Sequence, residues 1–303
     1  SGANVRSNTS AVRFISEDGK RAASVLLRSN TGDLKQVKVN RAVIVAGGCI
    51  ASSHFLMRSG LRGNVGNNLC CNFAFPVAFG YSDKIDAFDG VQITVGALDP
   101  EERAIFETYF NPPAAFALSV PFFFDRNRQV MKRYDHFLNF GALVGSDTGG
   151  TVQVKADPIN GRAFTWELTE RDIERIRYTL DTLLKIGQKA GASEAILPTR
   201  PGIAFELTQD NIERFISAIH DYPLRIKDLL ISTAHPQGGN RMTGDNSAAR
   251  DTRTVDGNFR VDGFSNVYVA DASLFPDSTG VNPQLTIMAM SSLAAGKVLE
   301  AHG

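Results

Sequence analysis

Five histidines occur in the chain, and one of them, His235, stands where an imidazole can do chemistry. It lies in the run Ser232-Thr-Ala-His-Pro-Gln-Gly-Gly-Asn-Arg-Met242, where Pro236, Gly238 and Gly239 keep the backbone out of regular structure. A histidine held in such a turn exchanges protons near neutral pH. A second run, Val267-Tyr-Val-Ala-Asp271, reads as a short buried strand ending on an acid. Pro276, Gly280 and Pro283 then turn the chain before a helix that opens near Gln284. Asn282 thus falls beside a helix N-terminus, a good place for a partly negative group. On residue type alone, His235 reads rather as a structural loop histidine, and Asn282 as a turn residue before Pro283. Ser273, Asp277 and Ser278 invite a hydrolase triad with His235, but no G-x-S-x-G nucleophile elbow is present. The histidines have no metal-ligand spacing, so no metal site is expected.

Four short motifs in order decide between these readings. His235-Pro-x-Gly-Gly-x-Arg-Met242 is followed by Val255-Asp-Gly-x-x-Arg-Val261, by Asn266-x-Tyr-Val-Ala-Asp-x-Ser-x-Phe-Pro276, and by Gly280-Val-Asn-Pro-Gln-Leu-Thr-Ile-Met-Ala289. Together they resemble the C-terminal signature of the glucose-methanol-choline (GMC) flavin oxidoreductases, to which cholesterol oxidase is related. Val43-Ile-Val-Ala-Gly-Gly48, followed by Ala51-Ser-Ser-His-Phe-Leu-Met-Arg-Ser-Gly60, resembles the family's strand, turn and helix near the dinucleotide. The resemblance implies FAD as cofactor and oxidation of an alcohol. His235 would take the hydroxyl proton as general base while hydride passes to the flavin, and Asn282 would hydrogen-bond the substrate oxygen. Asp271, Ala272, Asn282 and Pro283 match positions around the flavin ring and ribityl chain, and Ala46 and Gly47 match the adenosine side. Many relatives carry Cys where this chain has Asn240. Non-oxidative chemistry on the same scaffold, of lyase or photodecarboxylase type, and a non-catalytic subunit completing a partner's fold are the competing expectations.

The elements that must position these residues follow from turn signals and periodicity. Asp18-Gly19 and Thr31-Gly32 separate short apolar runs between Val5 and Val45, predicting an antiparallel meander that delivers a buried strand over 42–46. His54 follows on a helix, where a nearby backbone group satisfies it. Gly63-Asn-Val-Gly-Asn-Asn-Leu69 resembles a family turn, and Asn68 and Asn72 read as packing or loop residues. Strands are expected over Gly149–Lys155 and Arg162–Trp166, joined by a turn at Asp157–Gly161. Capped helices are expected from Thr169 and from Thr208, the second stopping before Pro223, with His220 as a C-terminal dipole partner. Phe116, Phe122, Phe123, Phe124, Phe137 and Phe140 either line an apolar substrate cavity or fill a core.

The resulting fold class is α/β (α+β): the C-terminal part of a GMC-type FAD-binding domain with an inserted antiparallel-sheet-plus-helices substrate domain. Residues 1–75 and 231–303 would belong to the FAD-binding domain and 76–230 to the substrate-binding domain. Across 303 residues, 43% of them hydrophobic, a large core is available. The 32 basic residues balance 32 acidic ones, with no basic block, which argues against nucleic acid. No apolar stretch is long enough for a transmembrane helix. Three cysteines without pairing or metal spacing favour a reducing compartment, with a mild preference for the cytoplasm, and leave the localisation open. No glycine-rich GxGxxG phosphate loop is found. The expected partners are therefore an N-terminal FAD-binding chain or segment carrying that loop, in a heteromer, and a small-molecule alcohol, bulky and apolar.

Overall fold

The structure is a computed structural model that describes residues 2–91, 93–109, 112–153, 163–244 and 250–303. Three antiparallel strands open it: β1 (Thr9–Ser16), β2 (Ala22–Ser29) and β3 (Leu34–Lys38). Asp18 closes the first hairpin as expected, its Oδ1 accepting the Lys20 and Arg21 N–H groups at 2.8 Å. Strand β4 (Val43–Val45) then leads into helix α1 (Gly48–Arg58). The expected buried strand is only half buried: Val45 lies in the core, whereas Ile44 is 52% exposed. Alternate residues of a strand face opposite ways, and α1 covers only the face that carries Val45.

The middle of the chain is built on β5 (Cys70–Gly80), β6 (Gly96–Asp99) and β7 (Ala104–Thr108), then the short helices α2 (Pro113–Ser119) and α3 (Phe124–Met131), then β8 (Phe137–Gly145). A small ribbon follows, β9 (Gly150–Val152) against β10 (Phe164–Trp166). Its strands are shorter than expected, and the turn at Asp157–Gly161 lies outside the described residues. Helix α4 (Glu170–Lys189) begins with the expected capping box: Thr169 Oγ1 accepts the Asp172 N–H and the Asp172 carboxylate accepts the Thr169 N–H, both at 3.0 Å.

Strands β11 (Glu194–Leu197) and β12 (Ile203–Glu206) precede helix α5 (Ile212–Asp221). This helix starts four residues later than the sequence suggests. Asn211 accepts the Thr208 N–H and donates to the Glu206 carbonyl, which folds the intervening residues into a turn. His220 lies in the last turn of α5 as expected, and its Nε2 also lies 2.7 Å from Asp181 on α4, joining the two helices.

The short strand β13 (Pro236–Gln237), β14 (Val267–Val269) and α6 (Gln284–His302) complete the chain. Antiparallel pairing builds one large sheet in the order β12-β11-β5-β8-β7-β6, with β13 beside β5, while β14 runs parallel to β4. One face of β5 carries Phe73, Phe75, Val77 and Phe79 into a core with Ile176, Leu180, Leu183 and Leu184 of α4. Each of these large apolar side chains contributes roughly 1.5–3 kcal/mol on burial. Gly187 permits the approach, since a Cβ there would meet the Phe79 ring within 2.6 Å.

The opposite face of β5 presents Asn72, Ala74, Pro76 and Ala78. Ala78 packs with Phe116, Phe122 and Phe137. Phe123 and Phe124, at 80% and 92% exposure, belong to no core and flank an open cavity of about 420 Å³ with Phe122. Phenylalanines with similar sequence settings therefore divide between packing and exposure. No described helix is long and apolar enough to cross a membrane.

Candidate active site

The run around His235 lies against two other segments. Pro236 and Gln237 pair with Cys71 and Cys70 of β5, which sets His235 opposite Asn72 on the same face. Beyond them, Gly238 N–H donates to Ala272 O, Asn240 N–H to Ser273 O and Met242 N–H to Leu274 O, at 2.8–2.9 Å. The motif residues 238–242 and 272–274 are thus adjacent in space. Gly238 is required there: its φ is +74°, and a Cβ would come within 2.1 Å of the Asn68 carbonyl oxygen.

His235 itself is half-buried, and burial pushes its imidazole below the usual histidine value. Its N–H donates to Thr233 Oγ1 at 3.0 Å and its carbonyl accepts from Gln237 Nε2 at 3.4 Å. The ring Nδ1 lies 3.4 Å from Asn72 Nδ2. Among the described residues Nε2 has no hydrogen-bond partner.

Three side chains clamp the loop that ends at Asn282. Arg103 reaches Asp277 at 3.0 Å, the Ser278 hydroxyl at 2.7 Å and the Ser278 carbonyl. Gln237 Oε1 accepts the Thr279 N–H at 2.9 Å. Asn72 Oδ1 accepts the Gly280 N–H at 3.1 Å while its Nδ2 donates to Val281 O at 2.7 Å. Asn72 and Gln237 are wholly buried, and each touches both His235 and this loop. Asn282 is exposed at its end, and Pro283 is buried where α6 begins.

The other expected residues gather at the start of α1. Asp271 Oδ2 accepts the Gly48 N–H at 2.8 Å and the Ser52 hydroxyl at 2.5 Å, and its Oδ1 accepts the Ser273 N–H at 2.9 Å. Ala46 and Gly47 are exposed and, with Ala11, Val25 and Ser52, line a cavity of about 620 Å³ between the meander and β4. His54 on α1 sits apart from both clusters, its Nε2 2.8 Å from the Gln153 carbonyl, a satisfied helix histidine as expected. Among the described residues no group of three or more His, Cys, Asp or Glu is placed to hold a metal ion.

Sequence reasoning missed Arg103 and Gln237 and read Asn72 as a packing or loop residue. Asn72 is a strand residue, buried between both motifs. A signal for it existed in the alternation of β5, where small and polar residues take every second place among phenylalanines.

Comparison with known proteins gives this geometry its context. The model for the N-terminal part of the GMC oxidoreductases matches residues 1–74, and that for the C-terminal part matches residues 146–291. The chain belongs to the GMC oxidoreductase family. A long-chain-alcohol oxidase of Arabidopsis thaliana is 26% identical over 302 residues, covering 92% of this chain and 40% of that protein. An uncharacterised GMC-type oxidoreductase of Mycobacterium tuberculosis is 27% identical over 288 residues, covering 92% and 43%. In fold, the chain resembles pyridoxine 4-oxidase from Mesorbium loti, at TM-score 0.65 and 16% identity over 97% of this chain and 58% of that one. It also resembles a formate oxidase from Aspergillus oryzae, solved in a study of FAD modification, at TM-score 0.69 and 17% identity over 97% and 60%.

The chain spans about two fifths of the length of these curated relatives. Both family models match this one chain, so a separate N-terminal partner chain is not supported. Membership of this GMC family makes FAD the cofactor, and the residues present fit it. The 620 Å³ cavity has the size of a small-molecule site, with apolar walls from Val25, Leu27, Val37 and Val45 and polar groups from Arg6, Ser10 and Ser52.

Proposed function

We propose that this chain carries the reacting side chains of an FAD-dependent oxidation of an alcohol to the corresponding carbonyl compound. The observation that carries the reading is His235: a half-buried imidazole with one ring nitrogen 3.4 Å from Asn72 and the other without a partner among the described residues, beside the loop that ends on Asn282. Ala46, Gly47, Asp271, Ala272, Asn282 and Pro283 would hold FAD, which supplies the hydride acceptor when bound. Residues 1–75 and 231–303 form the cofactor-binding part in this reading, and 76–230 the substrate-binding part.

His235 acts as general base and holds the hydroxyl proton as it leaves the substrate. A proton acceptor whose pKa burial keeps below the usual value stays neutral, and so competent, at neutral pH. Asn282 donates through its carboxamide to the substrate oxygen and orients the carbinol carbon. The buried clamps on the preceding loop keep that carboxamide from wandering, which lowers the entropic cost of reaching a reactive geometry. An apolar alcohol is the substrate class supported best. The relatives named long-chain-alcohol oxidases favour it.

The test is anaerobic mixing of natively purified, flavin-loaded protein with primary and secondary alcohols of increasing chain length. Bleaching of the flavin's visible band with stoichiometric carbonyl product is expected. Flavin that stays oxidised with every alcohol overturns the reading in favour of non-oxidative chemistry on this scaffold.

A further inference from the structure

We propose that helices α2 and α3 form a membrane-docking surface, which lays Leu118, Phe123 and Phe124 into the interfacial layer of an anionic lipid bilayer. The proposal is independent of the chemistry at His235. It rests on an exposed apolar patch with a cationic rim.

No charged residue occurs from Pro112 to Phe124, a run that includes all of α2. Of α2 only Phe116 is buried, in the cluster with Phe137 and Ala78 of the sheet, and Ala114, Ala115 and Leu118 are exposed. Leu118 is 80% exposed, Phe123 80% and Phe124 92%. Phe124 also has a φ of +53°, in the left-handed region that an aromatic residue rarely adopts. No core packing offsets that strain, because the ring stands in solvent. Large apolar groups held out side by side forgo the free energy of burial, and contact with a water-excluding surface restores it.

The charge around the patch decides what that surface is. After Phe124 a single acid, Asp125, stands among the exposed bases Arg126, Arg128, Lys132 and Arg133. Asp125 pairs with Arg128 at 3.0 Å, and Glu194 with Arg133 at 2.5 Å. Arg126, Lys132 and Arg200 pair with no acid among the described residues. Arg126 lies 3.8 Å over the Phe122 ring, and Arg200 lines the open cavity beside Phe123. Apolar side chains next to unpaired bases match a bilayer interface, where the rings enter between headgroups and the cations meet lipid anions. At 1.5 Å per residue α2 is only about 10 Å long, so it lies within the interface and does not cross it. A second copy of the chain fits this face worse, since a two-fold contact would set the same bases against one another. The exposed apolar residues of α6 lack such a rim, because Lys297 there is paired with Glu300 at 2.8 Å.

The experiment is co-sedimentation of natively purified protein with vesicles of phosphatidylcholine alone and of phosphatidylcholine mixed equally with phosphatidylserine. The wild type is expected to pellet with the mixed vesicles, and less so as added salt screens the charges. Phe123→Ser and Phe124→Ser should each weaken this binding about tenfold. Arg126→Glu combined with Lys132→Glu should abolish the preference for the anionic vesicles, and Leu299→Ser on α6 should leave binding unchanged. All these side chains are exposed, and a thermal melt of each variant checks its fold. Wild-type protein that stays in the supernatant with both vesicles overturns the proposal by itself. So does binding that folded Phe123→Ser and Phe124→Ser leave intact, or that Leu299→Ser removes. Equal binding to both vesicle types overturns the role of the bases and with it the choice of an anionic surface. Wild-type protein that self-associates without binding vesicles, and becomes monomeric as Phe124→Ser, would make this face a contact between copies and overturn membrane docking.

Discussion

Asp271 and His235 each close a motif at a junction of several segments, yet their side chains are used in opposite ways. Both oxygens of the Asp271 carboxylate are taken by protein donors: the Gly48 and Ser273 N–H groups and the Ser52 hydroxyl. It fastens the start of α1 to the end of β14, with negative charge at the helix N-terminus. His235 has one ring nitrogen beside Asn72 and the other without a partner among the described residues, and its backbone is tethered by Thr233 and Gln237. A saturated group stabilises, whereas a group held on one side only is available to react. The contrast separates motif residues that act by side chain from those that act by keeping backbone in place.

Replacing His235 with Ala tests the reactive corner. It should lower the rate of the chemical step about 100-fold or more, the usual size of general acid–base contributions. Single-turnover flavin reduction measures this directly, and a variant with wild-type turnover would remove His235 from the chemistry. The wild-type rate should also hold on the acid side of neutrality. The folded pKa is lowered by burial, so the neutral ring persists below the ordinary value of 6.5 before protonation shuts the reaction off. A limb falling above that value would contradict the environment described.

Asp271→Ala tests the saturated corner and should act on stability instead. Removing a carboxylate that accepts three bonds leaves the Gly48 N–H without its partner, at a cost of about 3 kcal/mol. Chemical denaturation reads this loss. Activity should fall only as far as the folded, flavin-retaining fraction falls, and a stable but inactive Asp271→Ala would erase the distinction between the two corners.

Both corners were more legible in the sequence than the residues that support them. His235, Asp271 and Asn282 sit in short runs whose turn residues, Gly238 and Pro283 among them, announce local geometry. The supports come from far away: Asn72 meets His235 across 163 positions and Arg103 meets Asp277 across 174. No periodicity within one segment encodes such a pairing, because it arises when β5 and β7 enter the same sheet. The meander and α4 were readable for the converse reason, since Asp18 and Thr169 satisfy neighbours within three residues. Helix α5 shows a local signal misread. Thr208 looked like a cap, but the Asn211 carboxamide made the competing turn. Exposure of Phe123 and Phe124 was invisible because hydrophobicity marks what burial would favour and does not say which surface a particular side chain reaches.

Asn282→Ala lies between the two corners in expected effect. The side chain is exposed, so stability should stay within about 0.5 kcal/mol. Losing one neutral hydrogen bond to the reacting oxygen, about 1.4 kcal/mol, should lower kcat/KM roughly tenfold. Steady-state kinetics beside a thermal melt separates the two quantities. Equal loss in both would move Asn282 from the reactive side of the comparison to the structural side.

The smallest effect belongs to His54, and it bounds the reactive corner from outside. Its Nε2 is within hydrogen-bond distance of the Gln153 carbonyl, on the flank of α1 away from Asp271, and a single neutral bond of this kind is worth about 1 kcal/mol. His54→Leu should therefore cost about that much in denaturation and leave kcat and KM unchanged. Both histidines bear a half-buried imidazole, so residue type and burial cannot distinguish them. What does is the setting: His235 touches Asn72 and Gln237, which hold the loop that ends at Asn282, and His54 has neither neighbour. A tenfold fall in kcat for His54→Leu at unchanged stability would mean that α1 communicates with the reacting groups, and the partition between fastening and reacting residues would have to be redrawn around that helix.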